Sequence, residues 1–118
     1  MTLQNLFGNL ALDATITSAG LIAVPFTISA AGTTTLVAAP GGSSLLRLRR
    51  ISPTYAIRSP DDEPILKLFV GSVEAQRGNA LVGRFDITAA ASSDAITLNV
   101  DVLATLGRVA GTVYYEVV

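Results

Sequence analysis

From residue 21 onward, apolar and polar positions alternate with period two in short runs, each closed by Gly, Pro, Ser or Asn. That is the pattern of half-buried strands joined by tight turns. The first run sets Val24, Phe26 and Ile28 on one face against Ala23, Pro25, Thr27 and Ser29 on the other, and Pro25 marks it as an edge strand because proline cannot donate to a ladder on both sides. Ala30-Ala-Gly32 turns the chain into Thr33-Thr-Thr-Leu-Val37, and Pro40-Gly-Gly-Ser-Ser44 turns it again before Leu45 to Ile51. Within that third run Leu46 and Leu48 oppose Arg47 and Arg49, but Arg50 and Ile51 arrive one position out of phase, which predicts a β-bulge. Ile65 to Val70, apolar on both faces apart from Lys67, predicts a strand covered on both sides. The clearest half-buried strands are Ile96 to Val102 and Gly111 to Val118, after a run at 80–87. The longest breaks fall around 39–44, 58–64 and 71–79.

Residues 1–20 behave differently. Leu3, Leu6, Phe7 and Leu10 have helical spacing, whereas Leu10, Leu12, Ala14 and Ile16 alternate as a strand would. Gly8 interrupts the helical reading and Ser18-Ala-Gly20 closes the segment, so it reads as an N-terminal arm, with one domain at 21–118. An alternating arm suits β-augmentation of a neighbour's open sheet edge; the plainer reading is the domain's own first strand or a disordered tail.

Composition narrows the chemistry. The 118 residues include no His, Cys or Trp, which removes disulfides, thiolates and zinc clusters as well as the usual acid–base relay. Leu (15), Thr (12), Val (11) and Ile (8) far outnumber the seven Phe and Tyr, content that favours a pleated sheet. With 50% apolar and 14% charged residues, the chain has more apolar surface than one small core hides, so an oligomer is expected. A net charge of −1 provides no field for capturing nucleic acid or an anionic membrane. No window approaches the roughly 20 apolar residues of a membrane span, and the start lacks a basic and apolar leader, so the protein is expected to stay in the cell that makes it.

Four candidate features remain. Asp61-Asp62-Glu63, between two prolines, could hold a hard cation but lacks the alternating ligands and turn glycine of known loops, so a solvated turn is preferred. Arg47, Arg49 and Arg50 form the strongest charge feature, and docking on an acidic neighbour is preferred over a merely solvated face or nucleic-acid contact. The acidic 61–63 loop of one subunit could meet this trio on the next. Tyr114 and Tyr115 could present a sugar-binding ring, although one of two consecutive strand residues must point outward in any case. The glycines fit no phosphate-binding pattern, and Gly83 and Gly111 read as bulges or points of close backbone approach.

The stretches Leu6-Phe-Gly-Asn-Leu-Ala-Leu-Asp-Ala14, Ile28-Ser-Ala-Ala-Gly-Thr-Thr-Thr-Leu-Val-Ala38 and Gly107-Arg-Val-Ala-Gly-Thr-Val-Tyr-Tyr-Glu-Val117 resemble small structural proteins of tailed bacteriophage virions. That resemblance implies a capsid decoration (cement) protein, or else a head-fibre, tail or adaptor component, assembled in the host cytoplasm and carried on the capsid surface. Together the readings predict an all-β protein: an antiparallel β-sandwich of jelly-roll type with seven to eight strands and an N-terminal arm. The expected protein is not an enzyme and needs no cofactor or metal. It would form a homo-oligomer, a trimer being favoured, and contact the major capsid protein or another virion protein. The interface residues would be Leu3, Leu6, Phe7, Leu10 and Leu12 in the arm, with Arg47, Arg49 and Arg50 on a sheet face. A receptor- or glycan-binding module is the alternative.

Overall fold

A computed structural model describes residues 15–16, 20–56, 65–78, 82–101 and 109–118, with 15–16 and 53–56 described as backbone. The described residues form nine strands and no helix: β1 (Thr15–Ile16), β2 (Ile22–Ile28), β3 (Gly32–Val37), β4 (Leu46–Ala56), β5 (Leu66–Val70), β6 (Val73–Gly78), β7 (Gly83–Thr88), β8 (Ile96–Val100) and β9 (Val109–Val117). All pairs are antiparallel, in a five-stranded sheet of order β1-β2-β9-β4-β7 and a four-stranded sheet of order β3-β8-β5-β6. The pairings nest: β2 with β9, β3 with β8, β4 with β7 and β5 with β6. A long hairpin folded over on itself gives this order, and the two antiparallel sheets make a β-sandwich.

The sandwich follows from the period-two pattern. Leu66, Leu68 and Val70 on β5, and Ile96, Leu98 and Val100 on β8, are buried while the residues between them are half-open. Val109, Val113 and Tyr115 on β9, and Leu46, Leu48 and Ile51 on β4, face them from the other sheet, and all belong to one apolar cluster. Each such Leu, Ile or Val side chain contributes about 1.5–3 kcal/mol when removed from water. No polar or charged residue falls among the fully buried ones described.

The phase break at Arg50 is a bulge. Leu48 pairs with Tyr115 and Arg50 with Tyr114, which leaves Arg49 as the extra residue on β4. Its effect is to aim Ile51 back into the core and to leave both Arg49 and Arg50 on the outer face. Gly111 is the predicted close approach: a Cβ there would lie 2.7 Å from the Ser52 carbonyl oxygen and 3.0 Å from Cζ of Phe26. Gly83 is not one, since a Cβ there would meet its nearest atom at 3.5 Å, an ordinary contact.

Two expectations need correction. The break placed at 71–79 contains a strand, because Val70 pairs with Val73 across the two-residue turn Gly71-Ser72. Gly71, at φ +60°, supplies the positive φ that a type II′ hairpin takes at its first central position. β5 is covered on one face only: Lys67 and Phe69 stand half-exposed on the outside, with no second layer over them among the described residues. Within the segment read either as an arm or as the domain's own first strand, the two described residues, Thr15–Ile16, pair with Ala23 and Ile22 of their own chain as β1.

Tyr115 gives a pH test of the packing. Burial raises its phenol pKa above the ordinary 10.0, because the ionised form would have to stay in the core. The folded state therefore holds this proton more tightly than the unfolded state does. The stability so conferred is complete below pH 10 and is lost as pH rises through the folded value. Tyr115→Phe is expected to lose less stability than wild type on going from pH 9 to 11 in urea denaturation; equal losses would count against a buried phenol.

Candidate interface on the outer face of the five-stranded sheet

β4 lies between β9 and β7, and its register lines up rows of side chains on the outer face. One row is Glu116–Arg47–Thr88 and the next is Tyr114–Arg50–Arg84. In the first row Arg47 Nη1 and Arg49 Nη1 reach the same Glu116 Oε2 at 3.4 and 3.2 Å. Arg47 Nε also donates to Thr88 Oγ1 at 3.1 Å and lies 3.5 Å from Asp86 Oδ1. These side chains are about a third exposed, so each pair is worth at most about 1 kcal/mol. Replacing Glu116 with Gln is accordingly expected to shift stability by less than about 1 kcal/mol in urea denaturation. A larger loss would mean that the shared carboxylate anchors the sheet.

The second row is built differently. The Arg50 guanidinium sits 5.2 Å from the centre of the Tyr114 ring, a cation–π contact worth about 0.5–1 kcal/mol at an exposed site. Arg84, also exposed, is the direct cross-strand neighbour of Arg50. Like charges placed opposite each other destabilise a strand pair. Neither arginine has a carboxylate partner among the described residues, since the nearby Asp86 and Glu116 are engaged by Arg47 and Arg49.

The sign of the face differs from that of the chain. Arg47, Arg49, Arg50 and Arg84 against Asp86 and Glu116 leave a local charge of +2, so the remainder of a chain of net −1 carries −3. A basic, arginine-rich patch flanked by an aromatic ring suits carboxylates, because guanidinium binds them bidentately and sheds water easily.

Of the residues singled out from sequence, Arg47, Arg49 and Arg50 do share this face, but the first two are spent largely on Glu116. Arg84 and Tyr114 were not grouped with them, because their proximity depends on strand register between positions far apart in the chain. Tyr115 points into the core, so any sugar-binding surface would rest on Tyr114. Leu3, Leu6, Phe7, Leu10 and Leu12 lie outside the described residues, as does the Asp61-Asp62-Glu63 loop. Among the described residues no three acidic side chains converge in a metal-binding group, and no helix is long and apolar enough to cross a membrane. Comparison with known protein families, curated proteins and solved structures gives no match.

Proposed function

We propose that this protein is a non-enzymatic structural component of a phage virion, a decoration or cement protein that binds the capsid surface and bridges capsid subunits. The observation that carries the reading is the Arg50–Arg84–Tyr114 row: a like-charge pair kept at a cost to the fold, on an otherwise acidic chain, is accounted for by an acidic partner surface. Read as a jelly roll, the nested strand order adds weight by analogy of fold, as that architecture recurs in viral capsid domains. Many copies, each adding a modest contact, would make rupture of the shell require several interfaces to fail together. The partner is the major capsid protein or another virion protein, and neither a cofactor nor nucleic acid enters the mechanism.

Shells of the major capsid protein, prepared without this chain and mixed with it, test the reading by co-sedimentation. Saturable binding that weakens as salt rises from low to high concentration is the expected result. Absence of binding at low salt contradicts it. The alternatives are a head-fibre, tail or adaptor component, and a receptor- or glycan-binding module. Jelly rolls also occur in lectins, and Tyr114 is half-exposed beside arginines, so binding on a glycan array that Tyr114→Ala abolishes would favour the glycan module.

A further inference from the structure

An edge strand presents a row of unpaired backbone donors and acceptors, and proteins blunt such edges with charge, proline, bulges or a covering segment. Three of the four edges formed by the described strands are blunted. At β6, Glu74 and Arg77 form an ion pair at 2.8 Å on the outer face and Ala75 is an extra residue in the ladder. At β7, Arg84 and Asp86 point outward and the register shifts against β4. At β2, the outer edge carries β1 over Ile22 and Ala23 and then Pro25, which is exposed.

β3 has none of these devices where it matters. Gly32-Thr-Thr-Thr35 has no charge and no proline, and its one bulge falls beyond it, between Thr35 and Val37. Every residue from Ser29 to Thr35 is exposed. Thr34 lies directly opposite Leu98 and so on the inward face, yet Leu98 is fully buried while Thr34 is open to solvent. The core is sealed at β8 and unfinished at β3, where no further strand pairs among the described residues.

We propose that β3 of a second copy of this chain completes the edge, antiparallel, about a two-fold axis through Thr34. The strand is complementary to itself: the axis sets Thr34 against Thr34 and Thr33 against Thr35. Threonine pairs across neighbouring strands are favourable, and no like charges meet. The contact is isologous, and it joins two four-stranded sheets into one. It covers the inward positions at Gly32 and Thr34 that one copy leaves open. The proposal stands independently of the virion reading, because it concerns only how copies of this chain meet one another.

The test is the solution mass of the full chain and its Thr34→Lys variant by size-exclusion chromatography with light scattering. In a single copy the lysine at 34 remains in water, so the variant folds; in the paired edge it would be an inward-pointing charge. Wild type is expected at an even number of 12.2 kDa chains, with a thermal midpoint that rises with protein concentration, and Thr34→Lys at half that mass with unchanged circular dichroism and a lower thermal midpoint. As the chain has no cysteine, Thr34→Cys should give a covalent dimer on mild oxidation, while Ser72→Cys, in the β5–β6 turn, should not. An odd number of chains, or a mass unaffected by Thr34→Lys, overturns the proposal. So does a mass lowered by Thr34→Lys without any Thr34→Cys cross-link, which would put a different strand on β3.

Discussion

Valine at position 111 is expected to destabilise the domain by about 3 kcal/mol or more, a large share of the 5–15 kcal/mol that holds a typical domain together. The cause is geometric. Gly111 faces inward on β9 and pairs with Pro53 of β4, one strand away from Phe26 of β2. The nearest atom to a new Cβ, at 2.7 Å, is a backbone oxygen of Ser52, which can yield only by moving β4 itself. The Phe26 ring closes the other side. Gly111→Ala should lose less than Gly111→Val, because it adds the Cβ without the branches. Gly83→Ala is the control: at 3.5 Å from its nearest neighbour the added methyl has room, and replacing a strand glycine lowers the backbone entropy that the unfolded chain loses on folding. Urea midpoints of the three variants decide the matter. Wild-type stability in Gly111→Val would mean that β9 and β4 do not approach as closely as described.

The second large effect concerns the basic face. Arg50→Glu combined with Arg84→Glu is expected to weaken binding to capsid shells about a hundredfold, or about 2.8 kcal/mol at about 1.4 kcal/mol per tenfold step. The fold should survive, since both side chains are exposed. Arg84→Glu alone separates binding from folding. It turns a cross-strand like-charge pair with Arg50 into an opposite-charge pair, so stability should rise by about 0.2–1 kcal/mol while binding falls. A substitution that strengthens the fold and weakens attachment is the signature of a residue retained for contact. Loss of both together would mark Arg84 as part of the scaffold instead.

How far sequence reaches is clearest by comparing strands. β8 alternates bulky aliphatics with polar residues without a fault, β9 keeps the same period of burial despite Gly111, and both lie between two other strands, so period and burial agree. β6 is hidden in the sequence, because Gln76, at an inward position opposite Leu68, breaks the alternation at the same place as the bulge at Ala75. There the amide donates through Nε2 to the Val82 carbonyl at 3.0 Å, a contact no local pattern announces. The bulge at Arg49 was legible because a phase slip of one residue is itself a local signal.

The basic trio was legible as charge but not in its division of labour. Glu116, which occupies Arg47 and Arg49, lies 69 and 67 residues away along the chain, and register alone puts Arg84 opposite Arg50. What distinguishes a neutralised arginine from a free one is thus the strand order, a long-range property.

The central claim is that this chain is a virion component present in many copies. Quantitative mass spectrometry of particles purified from the cells that make it tests this most directly. The expected result is the chain at a fixed ratio to the major capsid protein, retained through gradient purification at low salt and stripped at high salt. Its absence from particles, with the protein left in the soluble fraction of the lysate, would contradict the account.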